Sequence, residues 1–275
     1  MALRPLTKTQ LAALCSHIAL GGQLGEGGNA RVFAGESKTY GSVAVKFMLN
    51  DNTKRYSRFR DEVTVVTTRL NGSSRVVPIL ENYLPPKLDD DTVPWYVMPR
   101  ATRLMSHLQD KSWRDRVQAM LDLAQGLAEL HERQVAHRDI KPDNLFELDG
   151  ALRFADFGIA AFPERSGVTD LNEPMGPAHY IAPEMFSSPT TADPRKGDIY
   201  SFAKTVWVVL TEQRFPFPGQ YAPTGRVALT SHLTQKRFVT EPLDTLLEAS
   251  TNHEPHLRPS AEEFARRLQL VDCNN

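Results

Sequence analysis

His137–Gly158, HRDIKPDNLFELDGALRFADFG, is the stretch on which the reading of this chain turns. Asp139, Lys141, Asn144 and Asp156 punctuate it, with short apolar runs between them. Ala151 to Phe154 reads as a short buried strand, Leu148 to Gly150 as the turn before it, and Leu145 with Phe146 as the preceding strand. Two antiparallel strands joined in this way return the chain on itself. The loop carrying Asp139, Lys141 and Asn144 and the loop carrying Asp156 therefore meet at one end of a hairpin.

That grouping has a chemistry. A hard cation such as magnesium takes oxygen ligands, commonly one or two carboxylates completed by substrate phosphates. Asp156 and Asn144 supply such oxygens, Asp139 is left to accept a hydroxyl proton, and Lys141 can steady negative charge on a group in transfer. The reaction class indicated is phosphoryl transfer.

HRDIKPDN followed by DFG also resembles the signature of the protein kinase family. The resemblance implies an α+β, bilobal fold: a small antiparallel-sheet N-lobe with one main helix, and a larger, mostly helical C-lobe. On this sequence the N-lobe would be residues 18–100 and the C-lobe residues 101–275, after an N-terminal extension, residues 1–17, holding a short helix.

Outward from the hairpin the remaining motifs fall in kinase order. IALGGQLGEGGNARVF, residues 18–33, places Gly25, Gly27 and Gly28 between two apolar strands. Glycine lets backbone amides approach an anion closely, although a plain glycine-rich hairpin has the same composition. The resemblance assigns the nucleotide to Leu24, Gly25, Gly27, Gly28 and Val32, with Ala30 in place of the usual third glycine and Asn29 in place of the usual aromatic tip. SVAVKFM, residues 42–48, is an alternating strand that resembles the VAIK motif, making Ala44 a wall of the base site and Lys46 the phosphate-holding lysine. Phe59, Val63, Val66 and Leu70 predict a helix over residues 57–70. Glu62 or Asp61 on that helix could pair with Lys46, and the family pattern favours Glu62. VVPIL (76–80) and PWYVMPR (94–100) read as further strands, with the acidic run Asp89 to Asp91 in a solvated turn between them. By resemblance Met98 is the gatekeeper, Ala101 offers hinge backbone groups to adenine, and Phe146 is a further nucleotide-binding residue.

Residues 113–133 have the spacing of a long amphipathic helix, with His131 near its end as a cap or packing residue. Residues 159–181 resemble an activation segment closed by Ala182, Pro183 and Glu184. Arg138 could pair with a phosphate on that segment, with Ser166 and Thr169 as candidate acceptors, and Pro177 stands where such kinases carry threonine. Residues 197–213 and 260–270 read as helices, the second opening on a Ser-x-x-Glu capping pattern. Asp198 resembles the residue that braces the catalytic loop, and Arg258 the one that forms a buried pair with Glu184.

Composition narrows the alternatives. The chain has 275 residues and a formal net charge of -1, which gives no electrostatic case for a nucleic-acid or membrane partner. Its two cysteines, Cys15 and Cys273, lie at opposite ends, so neither a disulfide framework nor a thiolate metal site is expected and a reducing, cytoplasmic setting fits. LAALCSHIALGG, residues 11–22, is broken by Ser16 and His17 and reads as a short helix entering the first strand rather than a signal segment. No apolar run is long enough to span a membrane.

The resemblance thus implies an ATP- and magnesium-dependent serine/threonine protein kinase, capable of autophosphorylation. Asp139 would be its base, Lys141 would neutralise the migrating group, Lys46 and Glu62 would fix the nucleotide, and Asn144 and Asp156 would hold the metal. Two other readings are a nucleotide-binding pseudokinase scaffold and a small-molecule phosphotransferase. The intact Lys46, Asp139 and Asp156 weigh against the first, and Lys141 with the closing Ala-Pro-Glu weighs against the second.

Overall fold

Thr7 and Gln10 open the first helix with a capping box: the Thr7 side chain accepts from the Gln10 amide, and the Gln10 side chain accepts from the Thr7 amide. The computed structural model describes residues 6–27, 30–49, 52–88, 92–165, 179–188, 191–232 and 240–271. Chain contacts divide it into two compact units, one ending at Ala101 and the other beginning at Thr102.

In the first unit, helix α1 (Lys8–Leu14) leads into strands β1 (Ile18–Glu26), β2 (Ala30–Ser37) and β3 (Gly41–Met48). Helix α2 (Thr53–Thr67) and strands β4 (Glu81–Tyr83) and β5 (Trp95–Pro99) follow. The strands form one antiparallel sheet in the order β1-β2-β3-β5-β4. Side chains alternate across a strand, so each face collects every second residue. Phe33, Val43, Val45, Phe47, Trp95 and Val97 pack in one cluster with Leu11 and Cys15 of the α1 segment. Met48 and Tyr96 pack instead with Tyr56, Phe59 and Val63 of α2 and its first turn. Each face of the sheet is thus covered by its own helix. Leu11 is fully buried in the first cluster, so Leu11→Ala should cost about 3 kcal/mol in urea unfolding.

Two expectations for this unit are corrected. Val76 to Leu80 is not a ladder strand. Pro78 has no amide hydrogen to contribute, and pairing with β5 starts only where the Leu80 amide donates to the Val97 carbonyl (2.8 Å) and β4 takes over. The helix expected over 57–70 begins at Thr53, because Asn52 caps it by accepting from the Arg55 amide (3.1 Å). It stops at Thr67, where the hydroxyls of Thr67 and Thr68 bond back to the Val63 and Thr64 carbonyls (2.7 and 2.6 Å). Leu70 remains buried, one turn beyond the helix.

The second unit runs through β6 (Thr102–Arg103), α3 (Leu104–His107), α4 (Trp113–Glu132), β7 (Leu145–Leu148) and β8 (Ala151–Phe154). It continues with α5 (Pro183–Ser187), α6 (Pro194–Thr211), α7 (Glu241–Ser250) and α8 (Ala261–Gln269). The expected hairpin is present as β7 and β8, with Leu145 opposite Phe154 and Leu148 opposite Ala151. Its two-residue turn has both residues left-handed, Asp149 at φ 54° and Gly150 at φ 80°. That is the Asp-Gly turn whose twist matches flanking strands. Ser260 caps α8 through the Glu263 amide, but the Glu263 carboxylate binds Arg266 and Arg267 instead of closing a capping box. No helix among the described residues is long and apolar enough to cross a membrane.

α6 is buried from Gly197 to Thr211, including Lys204. Burial pushes the Lys204 ammonium down to about 8, from an ordinary 10.5. A depressed lysine makes the unfolded chain the better proton binder between those values, so it contributes stability above the higher one and loses it as pH falls through the lower. Compared with Lys204→Met, the parent should gain stability from pH 8 to 10, read as the difference between their urea midpoints.

Candidate active site

Lys46 is the one charged residue of SVAVKFM, and the register of the sheet decides what it meets. Val32 and Tyr96 are its cross-strand partners, and Ala44 stands opposite Met98. Val32, Ala44, Lys46, Tyr96 and Met98 therefore share the face that α2 covers. Lys46 Nζ donates to both carboxylate oxygens of Glu62, at 3.1 and 2.9 Å. Of the two acids on α2, Glu62 is the one in this pair.

Tyr96 joins the pair from the neighbouring strand. Its hydroxyl donates to Glu62 Oε1 at 2.9 Å, and its ring lies 5.5 Å from Lys46 Nζ. A buried carboxylate needs such partners, because losing one leaves charge uncompensated. The composition of β5 gave no sign of this role, which follows only from the register that sets Tyr96 opposite Lys46. Tyr96→Phe keeps the ring and removes the donor, so unfolding should be easier by about 1.5–3 kcal/mol, the usual worth of a hydrogen bond to a charged group, in a urea titration.

The other nucleotide candidates of this unit lie around that face. Gly25 pairs with Val32 beyond a register shift in β1, and the Gly27 amide donates to the Ala30 carbonyl at 3.0 Å. Leu24 is exposed, and Ala101 is the last residue of the unit. Gly28 and Asn29 lie outside the described residues, as do Asp89 to Asp91, Ser166, Thr169, Pro177 and Cys273.

In the second unit Asp139 sits on the loop before β7. Lys141 Nζ donates to both its carboxylate oxygens at 3.0 Å. Asn144, at the end of a short turn Pro142–Asn144, donates its amide hydrogens to the Asp139 backbone carbonyl and to Asp139 Oδ2, both at 2.8 Å. With both donors committed, the amide presents its oxygen as the atom suited to a hard cation. Burial raises the Asp139 carboxyl, Lys141 opposes this, and the charge of Asp156 adds to it. Asp156 is exposed, with left-handed backbone at φ 67°. One amide oxygen and one carboxylate fit a magnesium ion whose remaining ligands are phosphates and water. Phe146, two residues along β7 from Asn144, pairs with Arg103 and Arg153.

His137 ties these loops together. It is fully buried; its Nδ1 accepts from the Asp139 amide (3.2 Å) while Nε2 donates to the Ala155 carbonyl (3.1 Å). Ala155, the residue before the metal candidate, and Asp139, the candidate base, are thus held by opposite nitrogens of one ring, which also packs on Phe157 at 4.6 Å. Asp198, also fully buried, accepts from the backbone amides of His137 and Arg138, each at 2.7 Å. His131 completes this brace at 3.0 Å from Asp198 Oδ2, so its position at the end of α4 serves the catalytic loop. Below them Arg258 holds Glu184 with two bonds, at 2.6 and 2.9 Å.

Comparison with known proteins gives the family. The protein kinase domain family matches residues 18–269. A probable serine/threonine-protein kinase, drkD of Dictyostelium discoideum, is 31% identical over 216 residues, covering 74% of this chain and 16% of its own length. The DNA damage response protein kinase DUN1 of Saccharomyces cerevisiae is 28% identical over 260 residues, covering 81% of this chain and 48% of its own. An L-type lectin-domain containing receptor kinase, S.1 of Arabidopsis thaliana, is 28% identical over 214 residues, covering 72% and 30%. The chain therefore spans less than half the length of each of these relatives. With the family matched from the first strand to the last helix, and two acids, a lysine and an amide on the loops of the hairpin, this chain belongs to the protein kinase family.

Proposed function

We propose that this domain transfers the γ-phosphoryl group of magnesium-ATP to a serine or threonine hydroxyl of a protein. The observation that carries the reading is Asp139, held by two bonds from Lys141 and two from Asn144. An acid fixed in that way is aimed before substrate arrives, which lowers the orientational cost of the step. Asp139 orients the hydroxyl and takes its proton. Lys141, already within bonding distance of the base, faces the negative charge that develops on the migrating group.

Asn144 and Asp156 would hold the magnesium ion, which when bound neutralises charge on the phosphate oxygens. Lys46, kept in place by Glu62 and Tyr96, would align the α and β phosphates. Leu24, Gly25, Gly27, Gly28 and Val32 would cover the nucleotide, with Ala44, Met98 and Ala101 at the base. The phosphoryl transfer extends to the chain itself, with the hydroxyls of Ser166 and Thr169 as the first acceptors. A cytoplasmic setting is part of the same reading.

The test is incubation of purified protein with labelled ATP and magnesium, with and without a generic protein acceptor, followed by mapping of label. Phosphoserine or phosphothreonine is expected in both arms. Tight nucleotide binding with no label in either arm would reject the reading in favour of a scaffold.

A further inference from the structure

Asp156 has φ 67°, a backbone setting that residues other than glycine adopt at a cost and keep only where their surroundings impose it. The chain on both sides of Asp156 is accordingly pinned. Before it, the Ala155 amide donates to the Asn144 carbonyl at 2.9 Å, and the Ala155 carbonyl accepts from His137. After it, buried Phe157 packs on the His137 ring, and the Ala160 amide donates to the Phe157 carbonyl at 3.0 Å. Ala161 then exchanges two backbone bonds with Ala136, at 2.8 and 2.9 Å.

Between Phe157 and Ala161 the turn must also place the Ile159 and Ala160 carbonyls, and Ala160 is buried. A carbonyl on buried backbone requires a donor. Arg165 supplies it: Nη1 donates to the Ile159 carbonyl at 3.1 Å and to the Ala160 carbonyl at 2.7 Å. The local sequence brings the side chain there. Pro163 follows Phe162 in a turn closed by the Arg165 amide, which donates to the Phe162 carbonyl at 3.2 Å. Phe162 is itself buried, so this turn is anchored and the guanidinium reaches back along the chain. A charged donor also makes a stronger bond than a neutral amide would.

We propose that Arg165 is a positioning residue for the metal: by holding the Ile159 and Ala160 carbonyls it fixes the turn that follows Asp156, and so sets the acid that would share magnesium with Asn144. The two ligand candidates are held by different means. Asn144 is fixed by its bonds to Asp139, and Ala155, tied to the Asn144 carbonyl, makes the near side of Asp156 follow it. The far side depends on the turn through Ile159 and Ala160. Without the guanidinium that turn is free to relax the left-handed setting of Asp156, and the acid loses its register with the amide. The inference rests on the assignment of Asn144 and Asp156 to magnesium above.

Binding of a fluorescent ATP analogue, titrated with magnesium, tests this without turnover. In the parent, magnesium should tighten the analogue. Arg165→Met removes the donors, and the magnesium concentration giving half the effect should rise about tenfold, the lower end of the loss typical when an outer partner of a metal ligand is removed. Arg165→Lys keeps a charged donor and should stay within about threefold of the parent. A loss confined to the coupling between metal and nucleotide leaves the magnesium-free affinity within about twofold in all three proteins, which general damage to the fold would not. An unchanged half-point in Arg165→Met, a half-point in Arg165→Lys as high as in Arg165→Met, or an equal weakening of the magnesium-free affinity overturns the role of Arg165 while the metal assignment stands. Nucleotide binding indifferent to magnesium in the parent overturns that assignment as well.

Discussion

Asp139→Asn should lower kcat by about 10²–10⁴-fold, the range over which a positioned general base acts, and leave the KM for ATP within about twofold. The separation follows from when the carboxylate matters. Asparagine can still accept from Lys141 and so preserve much of the loop, but it takes no proton from the hydroxyl. A group needed only as the transition state forms is lost from kcat and not from ground-state binding. Equal loss in both constants would mean that Asp139 organises the loop and is not the base.

The same variant carries a stability signature of the opposite kind. Burial raises the Asp139 carboxyl, so the folded state holds its proton more tightly than the unfolded chain does. The associated stability is present below the unfolded carboxylate range and is lost as pH rises through the raised folded value. Above that value the parent has lost it, and the neutral amide never depends on it. Asp139→Asn should therefore unfold no earlier than the parent at pH 7, with its relative advantage shrinking as the pH falls toward the carboxylate range. Thermal unfolding at several pH values reads this directly.

Glu184→Ala should cost about 3–5 kcal/mol of unfolding free energy, the penalty for removing one partner of a buried ion pair. Arg258 is 2% exposed, and besides Glu184 it donates to the Asn252 and Lys196 carbonyls at 2.8 and 3.0 Å and lies 4.9 Å from the Tyr200 ring. Those contacts hold the guanidinium in place after the carboxylate is gone, so its charge is left without a counter-ion. Replacing both partners by apolar side chains, Glu184→Leu with Arg258→Met, removes the stranded charge and should recover more than half of the loss. Urea titrations of the single and double variants decide the matter. A double variant as unstable as Glu184→Ala would show that the backbone bonds of Arg258, not its charge pair, carry the energy. Either result is large beside the 5–15 kcal/mol typical of a whole domain.

Local chemistry made the hairpin legible. Asp149-Gly150 permits a turn that few other residue pairs form, and alternation on either side sets the strands. The same held for α4, whose apolar spacing survives in the burial of Val117, Met120, Leu121, Ala124, Leu127 and Leu130. VVPIL misled because β-branched composition does not record that a proline withholds its amide from the ladder. The early start of α2 lies in Asn52, a cap seven residues before Phe59, the first apolar residue of the helical pattern. The choice of Glu62 over Asp61 came from family pattern, since both acids on α2 are buried and burial alone would not have separated them.

Sequence alone determined the chemical groups, their spacing along the chain and the family they mark, because a turn, a strand and an HRD-to-DFG interval depend on neighbours a few residues apart. Only the tertiary structure decided that Tyr96 stands behind Glu62, that His131 joins Asp198 in holding the catalytic loop, and that Ser201 and Lys204 of α6 bond the Tyr180 and Phe217 carbonyls. Those bonds join residues from thirteen to sixty-seven positions apart. Strand register and helix packing choose such partners, and neither is written in the local run of side chains.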